Sequence, residues 1–319
     1  MNIGILLWNK CNASCAHCAP MSGPSEKPFL TNEQIFSIID SSFHDCDKPK
    51  IGLSGGEAFL YYERLCEIVE YAIKKGASVS VNTNGSWAVT PDKAFNRLKR
   101  LKDIGLSKLV VSTDDYHEEF IKVGSVLNVV RACKKLHLEV ELQFVASKKT
   151  SRLGDFLRRY GDVFINVRCR EIPCHPVGRA ADHVAEEDLF LQPGLPDGLC
   201  PSAIFSVSAD GRYMPCCNTA GDLPALEIGT IAEPTVNACR RFKSSALLHV
   251  LTAEGPASLV PAAVEAGYEI KSGYVDQCHL CYDLFKSAQV AHQLKLKAID
   301  IASEKLSKKI SASVKSSLG

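Results

Sequence analysis

The sequence predicts an α/β protein, an open partial (β/α)6 TIM-type barrel followed by a smaller C-terminal α+β unit. Two observations carry the barrel. From residue 3 to about 170, short β-branched runs alternate with amphipathic stretches of helical period. The strand-like runs are mostly continuously apolar, as parallel strands covered on both faces are. A third observation carries the second unit: past residue 184 the texture turns rich in Pro and Gly, with short strands and further cysteines. At 319 residues and 46% hydrophobic, the chain can bury one large core or two smaller ones.

The predicted strands are "IGILLWN" (3–9), "PKIGLSG" (49–55), "ASVSVNT" (77–83), "KLVVST" (108–113), "LEVELQFVA" (138–146) and "DVFINVRC" (162–169). Between them, "TNEQIFSIIDSSF" opens with Thr31 and carries Gln34, a capping box ahead of Ile35, Ile38 and Ile39. "YERLCEIVEYAIKKG" spaces Leu65, Ile68, Val69, Ala72 and Ile73 on one helical face and stops at Gly76. Thr90–Pro91 supplies a cap and first-turn proline for the next helix, and Gly105 ends it. Strand–helix units of this kind build a parallel sheet through right-handed crossovers. Six such units fall short of the eight that close a barrel. Residues 1–183 are expected to form the barrel, 184–290 the second unit with a turn at Asp210–Gly211, and 291–319 a C-terminal helix or tail whose end, "SEKLSKKISASVKSSLG" (303–319), is a fraying helix or disordered.

Lys plus Arg (37) balances Asp plus Glu (36), so no basic field points to nucleic acid or anionic lipid. No apolar run approaches the roughly 20 residues that span a bilayer. The start "IGILLW" is too short for a signal-peptide core. A cytoplasmic location without membrane partners is therefore expected, where thiols stay reduced. Fourteen cysteines then read as metal ligands and reactive thiols rather than disulfides. Cys46, Cys66, Cys133 and Cys239 lie on helical patterns and are expected in the core.

The polar stretches each follow a strand: "WNKCNASCAHCAP" the first, "SGGE" the second, "NTNG" the third and "STDD" the fourth. In α/β barrels the loops at these strand ends build the active site. Cys11, Cys15 and Cys18 suit either a zinc knuckle, with His17 or His44 as fourth ligand, or a four-iron cluster with one iron left open. CxxxCxxC after the first strand, followed by GGE after the second, resembles the radical S-adenosylmethionine (SAM) enzymes over about residues 3–185.

That resemblance implies that Cys11, Cys15 and Cys18 hold a [4Fe-4S] cluster whose fourth iron takes the amine and carboxylate of SAM. Gly55, Gly56 and Glu57 would meet the SAM amino group, although Ala58 stands where the family usually has proline. Asn82, Asn84, Ser112 and Asp114 would contact its ribose or carboxylate, or else act as strand-end caps. Arg179 in "HPVGRA" would lie near its adenine and carboxylate. Reductive cleavage of SAM would give a 5′-deoxyadenosyl radical that takes hydrogen from a substrate carbon.

A second set, Cys200, Cys216 and the CxxC of Cys278 and Cys281, resembles the auxiliary-cluster extension of the peptide-modifying branch, in its shortened twitch/SPASM-like form. It implies a second [4Fe-4S] cluster; the same four thiols would also suit zinc. Cys217 is surplus and would face away from Cys216 on an extended segment. The arrangement is similar to that of radical SAM peptide epimerases, which turn L- into D-residues. Cys217 would then return hydrogen to a Cα radical, with Cys174 in reserve and Cys169 close by. Tyr116 and Gln143 would line the pocket, and His117 is expected at the surface. The implied partners are a precursor peptide and an electron donor such as flavodoxin or ferredoxin. With so short an approach to the first strand, a leader peptide is expected to bind the catalytic body or another protein. An oxidative thioether or carbon–carbon crosslink is the alternative reaction, and a non-catalytic iron–sulfur or zinc scaffold the alternative of another class.

Overall fold

A computed structural model describes residues 1–25, 29–216 and 221–317, with side chains to residue 308. Six parallel strands, β1 (Ile3–Leu6), β2 (Lys50–Ser54), β3 (Ser78–Thr83), β4 (Lys108–Ser112), β5 (Glu139–Ala146) and β6 (Arg168–Pro173), follow one another in order. Between and after them run α1 (Asn32–Ser42), α2 (Tyr62–Lys74), α3 (Pro91–Ile104), α4 (Asp115–Glu118), α5 (Val123–Lys135), α6 (Leu153–Phe164) and α7 (Ala180–His183). The Thr31–Gln34 capping box forms, and Thr90 caps α3 through the Lys93 N–H.

Side chains alternate across each strand. One set, including Ile5, Leu53, Val79, Val81, Leu109, Val111, Leu142 and Phe144, is fully buried against the helices. The other set carries Gly52, Ser54, Ser80, Asn82, Ser112 and Gln143 and stays half-buried. The sheet therefore has a packed outer face and a concave, polar inner face. Cys66, Cys133 and Cys239 lie buried in the outer core, whereas Cys46 is half-buried.

The sixth strand begins later than the sequence predicts. Asp162, Val163 and Phe164 complete α6 because Phe156, Tyr160 and Phe164 form one aromatic face that meets Phe144. Asn166 then turns the chain at φ +61°, and β6 starts at Arg168. Cys169 consequently sits near the beginning of the strand, packed against the outer core, and does not approach the site.

The remaining strands are β7 (Gln192–Pro193), β8 (Ala203–Val207), β9 (Arg212–Cys216), β10 (Gly229–Thr230) and β11 (Gly273–Tyr274). β8 pairs in parallel with β1, Ile3 facing Phe205, and β9 and β10 add antiparallel beyond it. The main sheet thus reads β10-β9-β8-β1-β2-β3-β4-β5-β6, with Gly211 turning the β8–β9 hairpin at φ +85°. A separate antiparallel pair joins β7 to β11. The predicted helical stretch near 235–252 divides into α8 (Thr235–Lys243) and α9 (Ala246–Ala253), because Ser245 starts a new helix by capping the Leu248 N–H. With α10 (Val260–Glu265), α11 (Gln277–Phe285) and α12 (Ala288–Ser317), α9 encloses a second core around Leu251, Leu259, Leu284, Phe285 and Leu294. Within the Ser- and Lys-rich end, residues 303–317 continue α12 as helix. Among the described residues no helix is long and apolar enough to cross a membrane.

Candidate active site

A cavity of about 310 Å³ opens at the carboxyl ends of the parallel strands. Cys11, Cys15, Cys18, Gly55, Gly56, Asn82, Asn84, Ser112, Asp114, Gln143 and Cys174 all line it. The segment leading into the cysteines is stitched to the loop after β2: Gly56 N–H donates to Trp8 O (2.7 Å) and Glu57 N–H to Lys10 O (3.0 Å). A Cβ on Gly56 would collide with the Lys10 carbonyl, so this close approach demands glycine. On the other side, Arg179 donates from Nη1 to Cys15 O (2.8 Å) and from Nη2 to Ser22 O (2.6 Å), while its N–H reaches Cys18 O (3.1 Å). Arg179 is thus turned onto the cysteine loop and is not among the residues that line the cavity.

Glu57 differs from the expectation in the same way. It is 1% exposed, and its carboxylate accepts from Thr83 Oγ1 (2.7 Å), Phe59 N–H (3.0 Å) and Asn84 N–H (2.7 Å). Those donors tie the loop after β2 to the end of β3, and Glu57 is not among the residues that line the cavity. Asn84 is placed in turn to donate from Nδ2 to Cys11 Sγ (3.7 Å) and Asn12 Oδ1 (3.1 Å). Asn82 and Ser112 line the cavity and carry no side-chain hydrogen bond among the described residues.

Asp114, fully buried, accepts from the N–H groups of His117 (3.0 Å) and Val145 (3.2 Å). Burial would raise its pKa, but His117, His17 and the Val145 N–H together hold it below the ordinary value. His117 is drawn inward, its Nδ1 2.9 Å from Asp114, and lines the cavity rather than the surface. His17 stacks on Tyr116 at 4.9 Å, and burial keeps it neutral with a pKa near 4. This His17–Asp114–His117 group was not legible beforehand; the only hint was a histidine lodged between two thiols.

Burial pushes the Cys11 thiol up to about 11 and Cys15 to about 12, with neighbouring charges, Cys18 among them, adding to the rise. Cys11 and Cys15 so placed are poor thiolates unless a cationic centre compensates them, and with Cys18 beside them the donor set fits an iron–sulfur cluster held through three irons. One donor atom each from Cys15, His17 and His117 also lie within 4.8 Å of one another, which keeps a zinc ion chemically feasible at this wall. Cys174 is 2% exposed, and burial raises it to about 11.

The second set also converges. Cys278 and Cys281 lie three apart on α11, hence on one face. Burial raises both, Cys278 to about 12, with the Asp276 charge adding at Cys278 and the charges of Cys200 and Cys216 at each. Four thiols so gathered fit a cluster or zinc equally. Cys217 lies outside the described residues.

Residues 5–143 match the family model described as the Radical SAM superfamily. Over those residues the chain is similar to the radical SAM superfamily. The cofactors of that superfamily are a [4Fe-4S] cluster and SAM. Over 299 residues the chain is 26% identical to a protein of Bacillus subtilis (strain 168) named "Putative peptide biosynthesis protein YydG", covering 90% of this chain and 92% of that one. It is 26% identical over 217 residues to the GTP 3′,8-cyclase of Limosilactobacillus fermentum (strain NBRC 3956 / LMG 18251), covering 60% of this chain and 62% of that enzyme. In fold it is similar to native anSMEcpe with bound AdoMet, with a TM-score of 0.58 at 14% identity over 95% of this chain and 99% of the other. BtrN in complex with AdoMet and 2-DOIA gives 0.51 at 16% identity, covering 81% and 91%.

Proposed function

We propose that this protein is a radical SAM enzyme that epimerises L-residues to D-residues in a ribosomally made peptide. One observation carries the reading: the cavity that gathers Cys11, Cys15 and Cys18 also holds a protonated, buried thiol, Cys174. Similarity to YydG along nearly the whole chain supports a peptide as substrate. The fold accommodates one in anSMEcpe, described with AdoMet and Cp18Cys peptide.

Cys11, Cys15 and Cys18 would hold the first cluster, and Cys200, Cys216, Cys278 and Cys281 an auxiliary one. When bound, the first cluster and SAM supply a 5′-deoxyadenosyl radical able to take a Cα hydrogen. Arg179 and Gly56 fix the cysteine loop, so the thiols are ordered before the cluster is loaded. Gly55 and Gly56 offer bare backbone to SAM, and Asn82 and Ser112 their unbonded polar groups; Asp114 orders the wall between the histidines. Glu57 acts indirectly, by orienting Asn84 onto Cys11. Hydrogen return needs S–H rather than thiolate, and burial keeps Cys174 in that form at neutral pH. Its S–H bond breaks as a new Cα–H bond forms on the opposite face, leaving a thiyl radical that takes up one electron and one proton. Flavodoxin or ferredoxin would supply the electron, and Cys217 is the second candidate donor.

The test is anaerobic incubation of reconstituted enzyme in deuterated water with the precursor peptide encoded beside its gene. Epimerisation adds one mass unit and a D-residue to the peptide. Cys174→Ala should abolish the D-residue while 5′-deoxyadenosine still forms; if Cys217→Ala alone does so, Cys217 is the donor instead. A loss of two hydrogens would instead mean a crosslink, and unaltered peptide with intact SAM would overturn the reading altogether.

A further inference from the structure

The cavity and the C-terminal cysteine set meet at one side-chain contact. His175 lines the cavity immediately after Cys174, its side chain 8% exposed. Its Nε2 lies 2.9 Å from Asp276 Oδ1. An ionised carboxylate only accepts, so the imidazole donates. Asp276 is the N-cap of α11, and the same oxygen accepts from the N–H groups of Cys278 (2.9 Å) and His279 (3.1 Å). Beside it, Val275 is buried in one apolar group with Cys174, Ala180 and Leu189.

Capping alone does not account for His175. An N-cap carboxylate satisfies the free N–H groups of its own first turn, and Cys278 and His279 already supply them. The third donor comes from 101 residues away, out of the wall of the other site. It gives an unbroken bonded route: Cys174 is covalently joined to His175, His175 is hydrogen-bonded to Asp276, and Asp276 is hydrogen-bonded to the Cys278 N–H.

We propose that His175 is a positioning residue that couples the two sites by setting, through Asp276, the reduction potential of the cluster that Cys200, Cys216, Cys278 and Cys281 would hold. This rests on the reading above, in which Cys200, Cys216, Cys278 and Cys281 hold a cluster and Cys174 donates hydrogen. Hydrogen bonds and charge around the ligands set cluster potentials. The His175 N–H draws charge from Asp276; without it, more negative charge rests beside Cys278, and the cluster becomes harder to reduce.

The experiment uses the full chain with Cys11, Cys15 and Cys18 each changed to Ala, so that only the C-terminal cluster is observed. Iron and sulfide analysis first tests whether that cluster is present. Redox titration followed by electron paramagnetic resonance then reads its midpoint potential. His175→Ala should lower the potential, His175→Gln, which keeps an N–H donor, should restore it, and Asp276→Asn should raise it. A cluster present in every variant with an unchanged potential overturns the coupling while leaving the cluster assignment intact. A chain that binds no iron there overturns the assignment, and the coupling with it.

Discussion

At Arg179 a single side chain closes the cysteine loop. Its guanidinium and N–H reach three carbonyls, those of Cys15, Ser22 and Cys18, within a segment whose own backbone bonds are few. Without the guanidinium the Ser22 carbonyl loses its donor, at a cost of about 1–3 kcal/mol for a buried acceptor left unpaired, whereas Cys15 O keeps the Cys18 N–H and Cys18 O the N–H groups of Met21 and residue 179. Arg179→Ala is therefore expected to lower the melting temperature and, more tellingly, to reduce the iron retained after reconstitution severalfold. Arg179→Lys, a point charge without the planar fork, should fall between the two. Iron content equal to wild type in Arg179→Ala would show that the loop is ordered without this clamp. The residue scale also separates two kinds of motif residue: Asn82 and Ser112 face the cavity, whereas Glu57 and Arg179 work from behind it.

Among the elements, the loop after β2 has the tightest tolerance. A methyl group on Gly56 meets the backbone carbonyl of Lys10, which cannot rotate aside as a side chain would. Gly56→Ala should cost about 1–3 kcal/mol, the range for overpacking, and displace the approach to Cys11. The check is a thermal melt paired with iron analysis; a variant matching wild type in both would disprove the close approach. The elements that sequence reasoning recovered were those with a strong local signal: apolar runs for β1 to β5, and caps at Thr31 and Thr90. β6 was misplaced because an aromatic helical face and a following strand merge into one apolar run across 162–169. Within the site, the cysteines were legible from spacing. The Glu57–Thr83 and His175–Asp276 bonds were not, since they join residues 26 and 101 apart with no periodicity between them.

For the whole molecule, the decisive feature is the parallel pairing of β8 with β1. The sequence places a boundary near residue 183, yet Phe205, Val207 and Tyr213 belong to the same buried core as Ile3, Ile5 and Leu7. Each such side chain contributes about 1.5–3 kcal/mol by burial, against a total domain stability of about 5–15 kcal/mol. Removing the three together, along with the hydrogen bonds along β1, takes away a large share of that total and leaves β1 as an exposed, apolar edge. A chain ending at residue 183 is therefore expected to bind hydrophobic dye and to lack a cooperative thermal transition. One ending at residue 245, which keeps β8, β9, β10 and α8, should retain the transition. The second core around Leu284 and Leu294 lies apart from this sheet, so its loss should cost the C-terminal thiols their geometry before it costs the barrel its fold. A sharp, cooperative melt from the 183-residue chain would show that the barrel is complete without β8.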